Sequence, residues 1–289
     1  MPNGVSVGLE VSVRHQSLLA YARYRYLKVT LVVVALVIGA YVWHRPPTGP
    51  YGGTWLGYTL GTIGALLILW LSFFGVRKRR YRSTLGTLQG WLSAHVYLGA
   101  SLLVIVTLHA AFQVGWNVHT LAYVLMVGVI VSGFYGVFAY LRLPPRITDT
   151  LGDETLESLL LGIADLDRAL RPLALGLPDA VNQLVLTAAQ ETRIGGTWRQ
   201  QLSGRDATCA TAAAVSGIQA VGKALRGDQA RQNEQVYALL ARKQELVNRA
   251  RRAVALKARL DLWLFIHVPM SIALIAALVA HVVSVFFYW

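Results

Sequence analysis

The chain has 289 residues, 55% of them hydrophobic and only 14% charged, with a mean hydropathy of +0.49. Its 27 Lys and Arg against 14 Asp and Glu give a formal charge of +13, and Cys209 is its only cysteine. This composition points to a membrane protein, and it excludes an internal disulfide, an iron–sulfur cluster held by this chain's own cysteines, and covalent haem through a C-x-x-C-H motif.

Residues 1–26 form a polar, basic lead with Arg14, His15, Arg23 and Arg25. Stretches free of Asp, Glu, Lys and Arg then cover 29–44, 46–76, 83–141 and 262–289. A membrane span needs about 20 apolar residues. The first stretch supplies one span, 27–44, which is not read as a cleaved signal because Arg45-Pro46-Pro47 follows it instead of a small-residue site. The second supplies 55–76. The third is long enough for two, 88–113 and 120–141, separated by the polar Gly115-Trp116-Asn117-Val118-His119-Thr120. The last supplies 262–287. The expected architecture is an all-α integral membrane protein: a five-helix bundle with spans one to four in 27–142, a helical insert over 143–261, and span five in 262–289.

Basic residues set the expected orientation. Val76 to Arg82 reads VRKRRYR, with five positive charges, whereas 45–54 holds only Arg45 and 114–120 holds no Lys or Arg. The positive-inside rule then places the N-terminus, the 77–87 loop and the insert in the cytoplasm and the C-terminus outside, as in a bacterial inner membrane. The charge meets anionic lipid head groups; it flanks spans and does not form the basic face of a nucleic-acid-binding domain.

The insert, Leu143 to Leu260, is about 118 residues long. Pro144-Pro145 is expected to end the fourth span. Asp153-Glu154-Thr155 opens an amphipathic helix to about Leu170, with Leu156, Leu159, Leu160, Ile163, Leu166 and Leu170 on one stripe, broken by Pro172. A helix over 178–192, a loose region after Gly195-Gly196 and an Ala-rich helix within 207–224 follow. Asp228 to Leu260 contains no Gly or Pro and reads as one long amphipathic helix able to run into the fifth span. No phosphate loop, dinucleotide fingerprint or nucleophile–base pair occurs in the insert, which reads as a docking or structural element.

The chemistry rests on four histidines. His95 and His109 lie fourteen residues apart in the third span, and His267 and His281 lie fourteen apart in the fifth. That spacing is close to four helical turns, so each pair shares a helix face with roughly 21 Å between its members. Spans three and five are parallel in this topology. His95 then shares a level with His267 near the cytoplasmic side, and His109 shares one with His281 near the far side. With 7 His in 289 residues, two such matches are roughly a one-in-a-thousand coincidence before allowance for choosing the spacing afterwards. Two stacked imidazole pairs in hydrocarbon suit two axially ligated haems. A metal or proton pathway would want carboxylates among the histidines, and the five spans contain no Asp or Glu.

The segment Trp91-Leu92-Ser93-Ala94-His95-Val96-Tyr97-Leu98-Gly99, followed by Thr107-Leu108-His109, Phe265-Ile266-His267-Val268-Pro269 and Ala280-His281, resembles the two-haem b-type transmembrane cytochromes. These include the quinol-oxidising cytochrome b proteins and the ferric-reductase-like membrane domains. The resemblance covers spans two to five and implies two haems b, held by His95 with His267 and by His109 with His281. It departs from the ferric-reductase pattern in having no flavin- or nicotinamide-binding region after the last span, and no quinol-site motif is identifiable.

The implied role is an electron-transport subunit of a respiratory-type oxidoreductase complex. Its partners would be an iron–sulfur protein, a flavoprotein, a c-type cytochrome or a quinone. Arg79, Arg80, Arg82 and Arg142 are candidate propionate partners at the inner level; Arg45, Trp116, Asn117 and His119 lie near the outer one. Gly61 and Gly75 on span two, Gly99 on span three, and Gly128, Gly133 and Gly136 on span four serve either close helix packing or clearance for a macrocycle. Pro269 is expected to kink the fifth span or free a carbonyl beside His267. The rival reading is a non-redox scaffold or His-lined transporter whose cytoplasmic helices recruit a partner.

Overall fold

The computed structural model describes residues 18–47, 49–79 and 86–287. Among them every regular element is helical. A 3-10 turn, Leu18–Ala20, leads into α1 (Tyr21–Trp43), followed by α2 (Trp55–Ser72), α3 (Phe74–Arg79), α4 (Leu88–His109), α5 (Val118–Leu151), α6 (Leu156–Ala174), α7 (Asp179–Glu191), α8 (Trp198–Ser203), α9 (Ala210–Gly222) and α10 (Gly227–Phe287). Five helices are long and apolar enough to cross a membrane. Only 11% to 28% of each one's most apolar window is buried against protein. The remainder presents side chains such as Leu36, Leu66, Val131 and Ile272, and a helix face of that kind is stable in hydrocarbon and not in water. The chain is a multi-pass membrane protein.

Local chemistry fixes where the spans begin and end. Thr54 and Thr87 cap α2 and α4, each hydroxyl accepting from the amide three residues on, Gly57 at 3.0 Å and Gly90 at 3.1 Å. Asn117 starts α5 in the same way, its Oδ1 taking the Thr120 amide at 2.9 Å. The third span stops at His109, short of the expected 113, because Ala111 and Phe112 turn left-handed at φ 48° and 62°. Pro144 and Pro145 do not end the fourth span as expected. They remove two donors that would have met Tyr140 and Leu141, yet proline fits the first turn of a helix, and a further stretch runs from them to Leu151. Gly152, at φ 61°, terminates it. Pro172 likewise sits in the last turn of α6 without breaking it.

The chain divides into two compact units: residues up to Phe134 together with His267 onward, and Tyr135–Ile266. In the first, α4 packs against α1 and α2. Ile68 and Leu71 of α2, Leu102 of α4, Met126 of α5 and Leu274 of α10 form one core; Val37, Leu56, Leu60 and Ile105 form another.

In the second unit, Thr155 and Ser158 make a capping box at the start of α6, as Thr197 and Gln200 do for the short α8, which sequence pattern did not reveal. Leu170, Val181, Val185, Ile218, Val236 and Leu240 from four helices close its main core. The residues 228–260 lie within α10, which continues through Pro269 to Phe287.

Cations of α10 tie the second unit together, Lys243, Arg249 and Arg251 among them. Lys243 is fully buried, with Nζ donating to Asp167 at 2.5 Å and to the Ala188 carbonyl at 2.7 Å. Arg251 donates to the Arg193 carbonyl at 2.6 Å and to Asp206 at 2.9 Å. Arg249 donates to the Leu151 carbonyl at 2.7 Å. The Thr208 hydroxyl and then its amide and Arg251 hold the Asp206 carboxyl below the usual carboxylate range. A depressed carboxylate pKa contributes stability that is present above the unfolded value, about 3.9, and is lost as pH falls through the lowered one. The Asp206 contact therefore persists at pH 5. Asp167→Ala strands a buried ammonium and is expected to cost about 3–5 kcal/mol. Limited proteolysis of the detergent-solubilised chain should show faster cutting within 156–260 for this variant, with the spans still protected.

Candidate functional site

All four span histidines fall in the first unit, and they form two groups. The His109 and His281 rings have centroids 6.1 Å apart with planes at 85°. His95 interacts electrostatically with His267. Since His95 precedes His109 on α4 and His267 precedes His281 on α10, the two helices run parallel past each other.

The partners of the ring nitrogens define what the histidines can do. His109 Nδ1 lies 2.7 Å from the Gly57 carbonyl oxygen. A carbonyl only accepts, so Nδ1 carries the proton and Nε2 the lone pair. His267 Nδ1 lies 2.8 Å from Ser132 Oγ, whose own proton goes to the Val129 carbonyl at 2.8 Å. Ser132 is thereby the acceptor, and His267 has the same tautomer. Imidazoles that bind metals through Nε2 show this arrangement, the other nitrogen donating to a fixed acceptor that sets ring orientation and raises basicity.

His95 differs. Its Nδ1 is buried without a hydrogen-bond partner, although a backbone group of Leu71 interacts with the ring and Phe74 lies against it at 5.1 Å. A buried polar nitrogen of this kind is costly unless something meets it.

Glycines build the pocket around His109. A Cβ on Gly61 would lie 2.7 Å from the ring's Cε1 and 2.8 Å from Nδ1, and one on Gly52 would touch it at 3.6 Å. The spacing Gly57-x-x-x-Gly61 puts both on one face of α2, so backbone and imidazole meet directly. Gly133 stands similarly to His267, at 3.6 Å. Gly128 faces Met270 at 3.0 Å, Gly99 faces Leu71 at 3.8 Å, and Gly136 faces Trp263; all three are packing positions. A Cβ on Gly75 would meet nothing within 4 Å, so this glycine packs against no neighbouring helix.

The remaining sequence candidates separate as follows. Arg80 and Arg82 lie outside the described residues, as does His15. Arg79 and Arg45 are exposed. Arg142 lies over the Phe138 ring at 5.6 Å. Asn117 is a helix cap, and Trp116 is fully exposed. Apart from these candidates, His44 at the C-terminal end of α1 stands edge-on to Trp55 at 5.0 Å.

His119 carries more than its position as a loop residue suggested. Its ring meets His281 edge-on, with centroids 4.5 Å apart and the two Nδ1 atoms in hydrogen-bond contact. The signal in the sequence was slight: His119 follows His109 by ten residues, just before the expected fourth span.

Among the described residues no group of three or more His, Cys, Asp or Glu is arranged to hold a bare metal ion. The chain matches no protein-family model, no curated protein and no solved structure. Gly61→Ala is expected to force the His109 ring aside and to destabilise the solubilised chain by about 1–3 kcal/mol, the usual cost of overpacking. Gly75→Ala should leave the thermal unfolding midpoint unchanged or slightly raised, and comparing the two midpoints checks the notch.

Proposed function

We propose that this chain is the di-haem cytochrome b subunit of a membrane oxidoreductase complex, relaying electrons between a redox partner or quinone at one face and a partner at the other. What supports the reading is one observation: paired imidazoles on parallel helices, with His109 and His267 held through Nδ1 so that Nε2 is the basic nitrogen. The donor set fits the group: two neutral imidazoles per level, and no carboxylate to add charge or oxygen ligands.

In this reading His95 and His267 hold one haem b and His109 and His281 the other, with quinone as a further ligand class at a membrane face. When bound, each haem supplies a one-electron iron couple whose potential is set by axial ligands, hydrogen bonds and burial. With His95, His267, His109 and His281 all committed to holding the two groups, substrate chemistry would belong to partners: an iron–sulfur protein, a flavoprotein or a c-type cytochrome. The chain's own residues orient and insulate. Gly57 and Ser132 aim two imidazoles; Leu102, Met126 and Leu274 keep the region dry. In this reading the positive-inside bias puts the N-terminus and the 143–261 insert in the cytoplasm of a bacterial cell, the His95 level inside and the His109 level outside.

An absorption spectrum separates this from a scaffold or transporter. The purified chain should be red, show a sharp b-type band on dithionite reduction, and give about two haems per chain by pyridine haemochrome. His109→Ala should lose one haem and keep the other. A colourless chain from haem-replete cells, or equal loss of both haems in that variant, would contradict the proposal.

A further inference from the structure

His109 and His267 each have an acceptor for Nδ1, a backbone carbonyl and a serine hydroxyl. His281 has a different kind of neighbour, a second imidazole. We infer that His119 is a positioning residue for His281, accepting the Nδ1 proton and so presenting Nε2 as the ligand nitrogen; this rests on the di-haem reading above. Three features carry it.

The contact is between the two Nδ1 atoms, so one must donate and one accept. If His119 donated, His281 would carry its own proton on Nε2 and could not bind iron through it. Only the tautomer pair with His281 donating leaves Nε2 basic. His119 then carries its own proton on Nε2.

The rings are also ordered. His281 has His119 on it at 4.5 Å and His109 at 6.1 Å. His281 is therefore the member that touches both neighbours and pairs with His109.

The third feature is rigidity. His119 sits in the first turn of α5, fixed by the Asn117 cap one residue before the helix starts. Its ring is set by the helix and not by a free loop, which is what a residue that fixes another's orientation requires. An acceptor at Nδ1 raises the basicity of a ligating imidazole, which favours ferric iron and lowers the potential.

The test uses the full chain in detergent with wild type, His119→Phe and His119→Asn. Phe keeps a ring but accepts no proton; Asn offers a carbonyl oxygen close to where Nδ1 stood. His119→Phe should keep two haems per chain by pyridine haemochrome. One low-spin electron paramagnetic resonance signal should shift and the midpoint potential of that haem should rise, while the other haem stays at its wild-type values and reports an intact fold. His119→Asn should return both readouts toward wild type.

Unchanged signals in a haem-replete His119→Phe chain would overturn the inference. Loss of one haem in both variants would also overturn it, because a positioning residue can be replaced by another acceptor and a ligand cannot. A wild-type chain without haem would sink the di-haem reading itself, before any variant is made.

Discussion

An imidazole in hydrocarbon has two nitrogens and no water, so each nitrogen must find a partner from the protein or from something the protein holds. Much of the membrane unit is arranged around this requirement. The Gly57 carbonyl and the Ser132 hydroxyl meet one nitrogen of His109 and His267. Both acceptors come from α2 and α5, which carry none of the four paired histidines. Those helices are thus tied to α4 and α10 by polar contacts as well as by the Ile68, Leu102, Met126 and Leu274 core. A hydrogen bond between spans is of modest strength, about 1 kcal/mol, but its geometry is narrow, and it fixes ring orientation more firmly than apolar contact does.

The glycines follow from the same requirement. To bring the carbonyl of Gly57 to His109, α2 must approach the imidazole with no side chain between them. Gly61, one turn on, clears the space that the ring fills, and Gly52 lies against the same Cε1 edge. Glycine costs helix stability in water, about 1 kcal/mol relative to alanine, yet in a bilayer the helix has no alternative partners for its backbone and tolerates the residue. The four-residue spacing is therefore a consequence of where the histidine sits.

Much of this was legible in the sequence. Charge-free stretches located the five spans, and the fourteen-residue spacing singled out the histidines that the fold brings together. The run from Asp228 to Leu260, without Gly or Pro, foretold a helix continuing into the last span, and the helix also carries through Pro269. Other features were not legible, for identifiable reasons. Pro144-Pro145 looked like a stop, but a stop and a new first turn share the same residues. α8 is six residues long and held by its capping box, too short for periodicity to register. The ring partners of His109 and His267 are a backbone carbonyl and a serine, which no motif marks. The contact of His119 with His281 joins residues 162 apart in the chain and depends on how two spans are rotated.

The account is most directly tested by a cryo-electron-microscopy map of the intact chain purified from haem-replete cells. It predicts planar density of porphyrin size between His95 and His267 and again between His109 and His281, each with a central iron peak joined to both imidazoles. Imidazoles closed on one another, with only side-chain density between α4 and α10, would contradict it.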